Sequence, residues 1–200
     1  MSKNWVRERK RDYYYRKAKM ENYRSRASYK LMQLDERFRI FRKGDVVIDL
    51  GASPGGWSQV AAERVGPSGM VVAIDLKPVE PIDGVVFVQG DALASSTLDA
   101  VRGRLAGRQA GVVISDMAPN ISGNYNVDHA RSVDLAGMAL RYSDEFMGQG
   151  GNLVVKVFVG DMSNELFDGI KSRFGVAKRF SPKASRKTSS EIYMVGKGRI

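Results

Sequence analysis

The chain has 200 residues, 43% of them hydrophobic, a single histidine and no cysteine. That length is enough for one domain with a sizeable core. The missing cysteines exclude disulfides, thiolate metal sites and cysteine nucleophiles, and the lone His129 argues against a histidine-based metal cluster or triad. No stretch approaches the roughly 20 apolar residues that span a bilayer, and the opening residues lack the apolar core of a signal peptide. A cytoplasmic protein with no membrane partner and no bound metal is therefore expected.

Lys and Arg outnumber Asp and Glu by 32 to 22, giving a net charge of +10 and a pI near 9.9. Residues 1–26 carry ten Lys/Arg against three acids, interleaved with Trp5, Tyr13, Tyr14, Tyr15 and Tyr23. Seven more Lys/Arg and no acid lie between Asp168 and Glu191. Cations that neutralise phosphates, mixed with rings that stack on unpaired bases, suit RNA. A solvated basic tail is the competing reading of the first dozen residues. Residues 1–21 read as a basic N-terminal extension, and residues 22–200 as one domain without a linker.

From Ser25 the chain becomes helical, with Ala27, Leu31, Leu34, Phe38 and Phe41 on one stripe and Lys30 at its margin. After a Lys-Gly-Asp turn at 43–45, apolar strands at 46–50, 70–74, 85–88, 112–114 and 153–159 alternate with helical segments near 56–65, 96–107, 130–147 and 163–174. Such alternation predicts an α/β fold, a doubly wound, mostly parallel sheet with right-handed crossovers. Residues 176–180 and 192–195, joined by a polar loop, predict an antiparallel pair at or near the sheet edge.

The first strand runs into "DLGASPGGWSQ", a tight turn with Gly51, Gly55 and Gly56 before a helix. In a doubly wound sheet this is where a nucleotide lies against exposed backbone. Asp75 closes the second strand, placed to accept both ribose hydroxyls of a nucleoside, and Asp91 closes the third, placed to border an adenine. The glycine spacing departs from the dinucleotide fingerprint, Pro54 removes an N–H from the loop, and Asp49 adds negative charge where a pyrophosphate would sit. A cofactor with a cationic end, S-adenosyl-L-methionine, suits these residues better than NAD.

Lys156 interrupts "GGNLVVKVFV", a strand otherwise apolar on both faces, where an unpaired ammonium would cost several kcal/mol. Asp116 follows the fourth strand in "VVISDMAPN", and Glu191 opens the last strand in "SSEIYMV". If that strand is antiparallel to the fifth, Glu191 comes near Lys156. With Lys30, two lysines and two carboxylates then converge on the cofactor's rim. Trp57 is expected to wall the cofactor cleft, and His129 has no assigned chemistry.

"SRASYKL", "DLGASPGGWSQ", "SDMAPN", "VVKVF" and "SSEIYMV", in this order over residues 22–197, resemble the motifs of the FtsJ/RrmJ (RlmE-type) 2′-O-ribose RNA methyltransferases. The resemblance implies a Rossmann-like class I methyltransferase with a catalytic tetrad at Lys30, Asp116, Lys156 and Glu191. It also implies S-adenosyl-L-methionine contacts at Gly55, Trp57, Asp75, Asp91 and Asp116, beside Asp49 and Gly51 of the glycine turn. The implied substrate is a uridine of 23S-type large-subunit rRNA, presented as rRNA or as the ribosomal subunit, with a monomeric enzyme. Two alternatives are 2′-O-methylation of tRNA anticodon-loop riboses and a non-catalytic RNA-binding assembly protein. An NAD oxidoreductase lacks its glycine spacing here.

Overall fold

The computed structural model describes residues 12–186 and 189–200. Helices α1 (Tyr13–Met20) and α2 (Ser28–Phe38) precede strand β1 (Val46–Leu50). Then come α3 (Gly56–Val65), β2 (Met70–Asp75), β3 (Val85–Gln89), α4 (Ser95–Leu105), β4 (Ala110–Ser115), α5 (Tyr125–Phe146) and β5 (Met147–Phe158). Helix α6 (Ser163–Lys171) and strands β6 (Phe174–Phe180) and β7 (Glu191–Arg199) complete the chain.

One seven-stranded sheet runs β3-β2-β1-β4-β5-β7-β6. The pairs from β3 to β5 are parallel, whereas β7 is antiparallel to both β5 and β6. The doubly wound sheet and its antiparallel end agree with the alternation in the sequence. Strand order reverses between β1 and β4, so the crevice at their carboxyl ends is where such a sheet binds a ligand.

Period-2 alternation divides the strand residues between two cores. Ile48, Leu50, Val72, Ile74, Val113, Val155 and Val157 pack with α4, α5 and α6. Val47, Val71, Val112, Ile114, Val154, Tyr193 and Val195 pack on the other face with Leu31, Leu34, Trp57 and Val60 of α2 and α3. Lys156 shares the parity of Val154, so it belongs to the α2 face.

Several boundaries differ from the sequence reading. The apolar stripe through Phe41 leaves the helix at Phe38, because Arg39 turns left-handed at φ 50° and its N–H bonds the Asp35 carbonyl at 2.6 Å. Helix α5 starts earlier than residue 130, capped by the Asn124 side chain, which accepts from the N–H groups of Asn126 and Val127. Within the expected N-terminal extension, residues 13–20 form a helix whose Ala18 is buried with Tyr29 and Ala184. Arg7, Arg9, Lys10 and Arg11, which carry much of the basic tail, lie outside the described residues.

The buried Asn152 ties three pieces together. Its amide donates to the Ile40 carbonyl at 2.7 Å, and its oxygen accepts from the Gly198 N–H at 3.2 Å. Asn152→Ala would leave both backbone groups without these partners, at about 1–3 kcal/mol for a buried group. We expect urea unfolding of the variant to show a midpoint lowered by an equivalent of about 2–3 kcal/mol, with an unchanged slope.

Candidate active site

Three strands deliver acids to the switch-point crevice. A cavity of about 330 Å³ is lined by Gly51, Ser53, Asp75, Asp91 and Asp116, with Ile74, Met117, Leu135 and Met138 among its apolar walls. Gly51 stands at φ 74°, and a Cβ there would lie 2.3 Å from Met117 Cγ, so glycine keeps this wall open. The Asp75 carboxylate is oriented by the N–H groups of Ser53 at 2.9 Å and Lys77 at 2.8 Å, and Asp91 by the Leu93 N–H at 2.9 Å. Each oxygen keeps lone pairs for a ligand's hydroxyl or amino hydrogens. An apolar slot rimmed by three carboxylates fits a nucleoside carrying positive charge. Among the described residues no cluster of three or more His, Asp or Glu is placed to hold a metal ion.

Three of the residues expected at the cofactor, Gly55, Trp57 and Asp49, do not line this cavity. Trp57 is buried, with its indole N–H on the Ala27 carbonyl at 2.8 Å and its ring 5.8 Å from that of Tyr193. It belongs to the α2–α3 core because the first turn of α3 faces that side of the sheet. Gly55 and Gly56 make room for protein: Cβ atoms there would meet Ile82 and Arg24, and Ser25 and Ser28. Asp49 shares the parity of Val47 and points at α3, where the Ser58 hydroxyl donates to Oδ2 at 2.6 Å while Oδ1 has no partner among the described residues. Burial pushes its carboxyl up to about 7; the Ser58 hydrogen bond opposes this, and the charges of Asp116 and Asp75 add to it. Its charge does not border the cavity.

Beside the cavity the four expected tetrad residues form two ion pairs. Lys156 Nζ is 3.0 Å from Asp116 Oδ1 and also donates to the Asp116 carbonyl. Lys30 pairs with Glu191, which accepts a further hydrogen bond from the Ser185 hydroxyl at 2.8 Å. Glu191 therefore meets Lys30 rather than Lys156. The antiparallel register explains this, since Tyr193 stands opposite Lys156 while Glu191 stands opposite Phe158.

Tyr193, to which the sequence reading gave no role, joins the two pairs. Its hydroxyl donates to Asp116 Oδ1 at 2.7 Å, and its ring centroid lies 5.6 Å from Lys30 Nζ. Burial, then the charges of Asp116 and Glu191, hold its phenol well above the ordinary value, so it acts here as a donor. Burial alone would raise the Asp116 carboxyl, but Lys156, Lys30 and the hydrogen bonds from Tyr193 and Lys156 outweigh it and leave it below the ordinary carboxylate range.

A doubly wound sheet with this crevice and antiparallel terminus defines a Rossmann-like class I fold, and the comparisons identify its family. The FtsJ-like methyltransferase family matches residues 23–199, and the chain belongs to it. A relative named ribosomal RNA large subunit methyltransferase E from Methanothrix thermoacetophila is 51% identical over 94% of this chain and 72% of its own length. One of the same name from Archaeoglobus fulgidus is 47% identical over 94% of this chain and 96% of its own. Among solved structures, a Plasmodium falciparum protein provisionally named a ribosomal RNA methyltransferase superposes with a TM-score of 0.80 at 30% identity, covering 88% of this chain and 98% of that one. The fibrillarin/Nop5p complex superposes at 0.56 with 12% identity, a likeness of fold alone. Membership implies a methyl donor.

The raised Asp49 carboxyl has a consequence for stability. Between about pH 4 and 7 the unfolded chain releases this proton while the folded chain retains it, so the contribution is full below that window and declines as pH rises. The upper limit is on the order of 4 kcal/mol. Asp49→Asn should flatten the pH dependence of urea stability across the window; slopes equal to wild type would show that the carboxyl ionises freely.

Proposed function

We propose that this chain transfers a methyl group from S-adenosyl-L-methionine to the 2′-hydroxyl of a uridine in large-subunit ribosomal RNA. The observation that carries the reading is the buried Lys156–Asp116 ion pair at the edge of a cavity rimmed by strand-end acids. The relatives named ribosomal RNA large subunit methyltransferase E support the choice of substrate, and the net charge of +10 suits a polyanionic one.

In this reading Asp75 holds the ribose hydroxyls of the donor, Asp91 meets its adenine edge, and Gly51 and Ser53 lend backbone. Bound there, the donor supplies an electrophilic methyl and a positive charge that the three carboxylates favour. A ribose hydroxyl is a poor nucleophile and must lose its proton as the new O–C bond forms. In this reading Lys156, in the neutral form that the step requires, takes that proton on Nζ. Asp116 and Tyr193 hold its position. Lys30, oriented by Glu191, places positive charge beside the oxygen as it becomes anionic. Apolar walls keep water away from the exchange, which strengthens each of these interactions.

Lys156→Arg keeps the charge but not the ability to serve as a base near neutral pH. We expect it to lower the rate of methyl transfer from radiolabelled donor to large ribosomal subunits by about a hundredfold or more, with RNA affinity held within about threefold. Near wild-type turnover would leave Lys156 an electrostatic role only. Mapping the modified nucleotide, with tRNA as the parallel substrate, tests the ribose and the RNA together: label in tRNA alone, or on a base, would overturn the substrate assignment.

A further inference from the structure

We infer that Tyr125 and the loop ends around it form a stacking shelf for an unpaired RNA base adjacent to the ribose that is methylated. The inference rests on the RNA-methylation reading above and adds a surface to it.

The shelf joins two chain segments that leave the catalytic strands. One descends from Asp116 through residues 117–124 into α5; the other leaves β5 just after Lys156. Tyr125 fastens them, its hydroxyl donating to the Val159 carbonyl. The N–H of Val159 in turn donates to the Ser190 carbonyl at 2.9 Å, next to Glu191. The descending loop is pinned as well: Ser122 donates to Asp128 Oδ1 from its N–H at 2.9 Å and its hydroxyl at 2.7 Å.

Beneath the tyrosine lies His129, the residue with no role in the proposed chemistry. Their rings are nearly parallel, at 12° with centroids 6.2 Å apart. The imidazole is buried, and Nδ1 is 3.1 Å from the Phe158 carbonyl. A carbonyl oxygen only accepts, so Nδ1 carries the hydrogen of this contact, and Nε2 is buried with no hydrogen-bond partner among the described residues. Gly160 lets the imidazole lie there, since a Cβ would fall 2.5 Å from Nε2. The arrangement is a buried ring supporting an exposed one.

Tyr125 is 53% exposed, and Ile121, Val159 and Met162 on the same two segments are 68%, 48% and 49% exposed. Four large apolar side chains left open beside a proposed RNA site call for an occupant. A methylated ribose must be reached by the catalytic lysine, so its strand is locally unpaired, and a base freed from its neighbours seeks a ring on which to stack. Tyr125 supplies that ring with its orientation already fixed by His129 and Val159, so little ordering is needed on binding.

The test uses the full-length protein with large ribosomal subunits, and a short uridine-rich single-stranded RNA carrying one 2-aminopurine. Tyr125→Ala should raise the KM for RNA about tenfold to a hundredfold, with little change in kcat and none in donor affinity. Tyr125→Phe and Tyr125→Trp should stay within about threefold of wild type and keep 2-aminopurine quenching, which should disappear in the alanine variant. Tyr125→Leu keeps an apolar body without a π face and should behave like alanine, which decides the matter if alanine lowers stability. An alanine or leucine variant with wild-type KM and quenching would overturn the shelf. So would a concentration-dependent dimer that only these variants abolish, which would assign the surface to a second copy of the chain. Quenching requires no turnover, so a wild-type protein that stacks the base but leaves the ribose unmethylated would defeat the functional reading and not this one.

Discussion

A buried ammonium in the middle of an apolar sheet dictates the arrangement around it. Lys156 is 8% exposed on a strand whose flanking residues are almost wholly buried. Removing either member of such a pair leaves an uncompensated charge, commonly at 3–5 kcal/mol, so Lys156 and Asp116 constrain each other. Two acceptors from one residue, its carboxylate and its own carbonyl, take hydrogens from Nζ. The turn after β4 must therefore bring both oxygens of Asp116 to one side of β5. The cost of burial is offset by these hydrogen bonds, and the same Asp116 also lines the cavity, so one strand end couples the packing of the sheet to the shape of the crevice.

Sheet topology supplies the rest of the constraint. Because β7 returns antiparallel between β5 and β6, Tyr193 stands opposite Lys156, and its hydroxyl completes the hydrogen bonding of Asp116. A shift of one residue would turn Tyr193 to the opposite face and bury a neighbour against the lysine. Lys30 arrives from α2, outside the sheet, and its pairing with Glu191 draws that helix onto the strand end. Two ion pairs with an aromatic ring between them hold positive charge next to Asp116 without bringing the two ammonium groups onto one carboxylate.

The sequence exposed the parts of this arrangement that violate a local pattern. A lysine within six apolar residues, acids closing successive strands and a glycine turn between strand and helix each stand out against period-2 burial. Tyr193 does not, since an aromatic in a strand is what β-propensity favours, and only the register shows that its hydroxyl reaches Asp116. The partner of Glu191 was hidden for the same reason: strand direction places it near β5, but register selects Lys30. Trp57 and Asp49 were misplaced because adjacency to a glycine turn does not say which face of the sheet a side chain takes. Parity with Val47 settles Asp49, and the packing of α3 settles Trp57. Helix ends were blurred where a cap did the work, as at Asn124 and Arg39.

The misplaced pair clarifies what the glycine turn accomplishes. Of its glycines, Gly51 alone borders the cavity, whereas Gly55 and Gly56 admit the segment that precedes α2. That segment is anchored across the turn, since Arg24 donates to the carbonyls of Pro54 at 3.3 Å, Glu80 at 2.6 Å and Pro81 at 2.7 Å, and Ser28 donates to the Gly56 carbonyl at 3.0 Å. The loop thus shapes the cavity on one side and locates α2, with Lys30 upon it, on the other. Strand-end cavity and ion-pair cluster are fixed by the same few residues of backbone. A change in the turn must therefore disturb the position of Lys30 as well as the slot, even where the substituted residue touches neither.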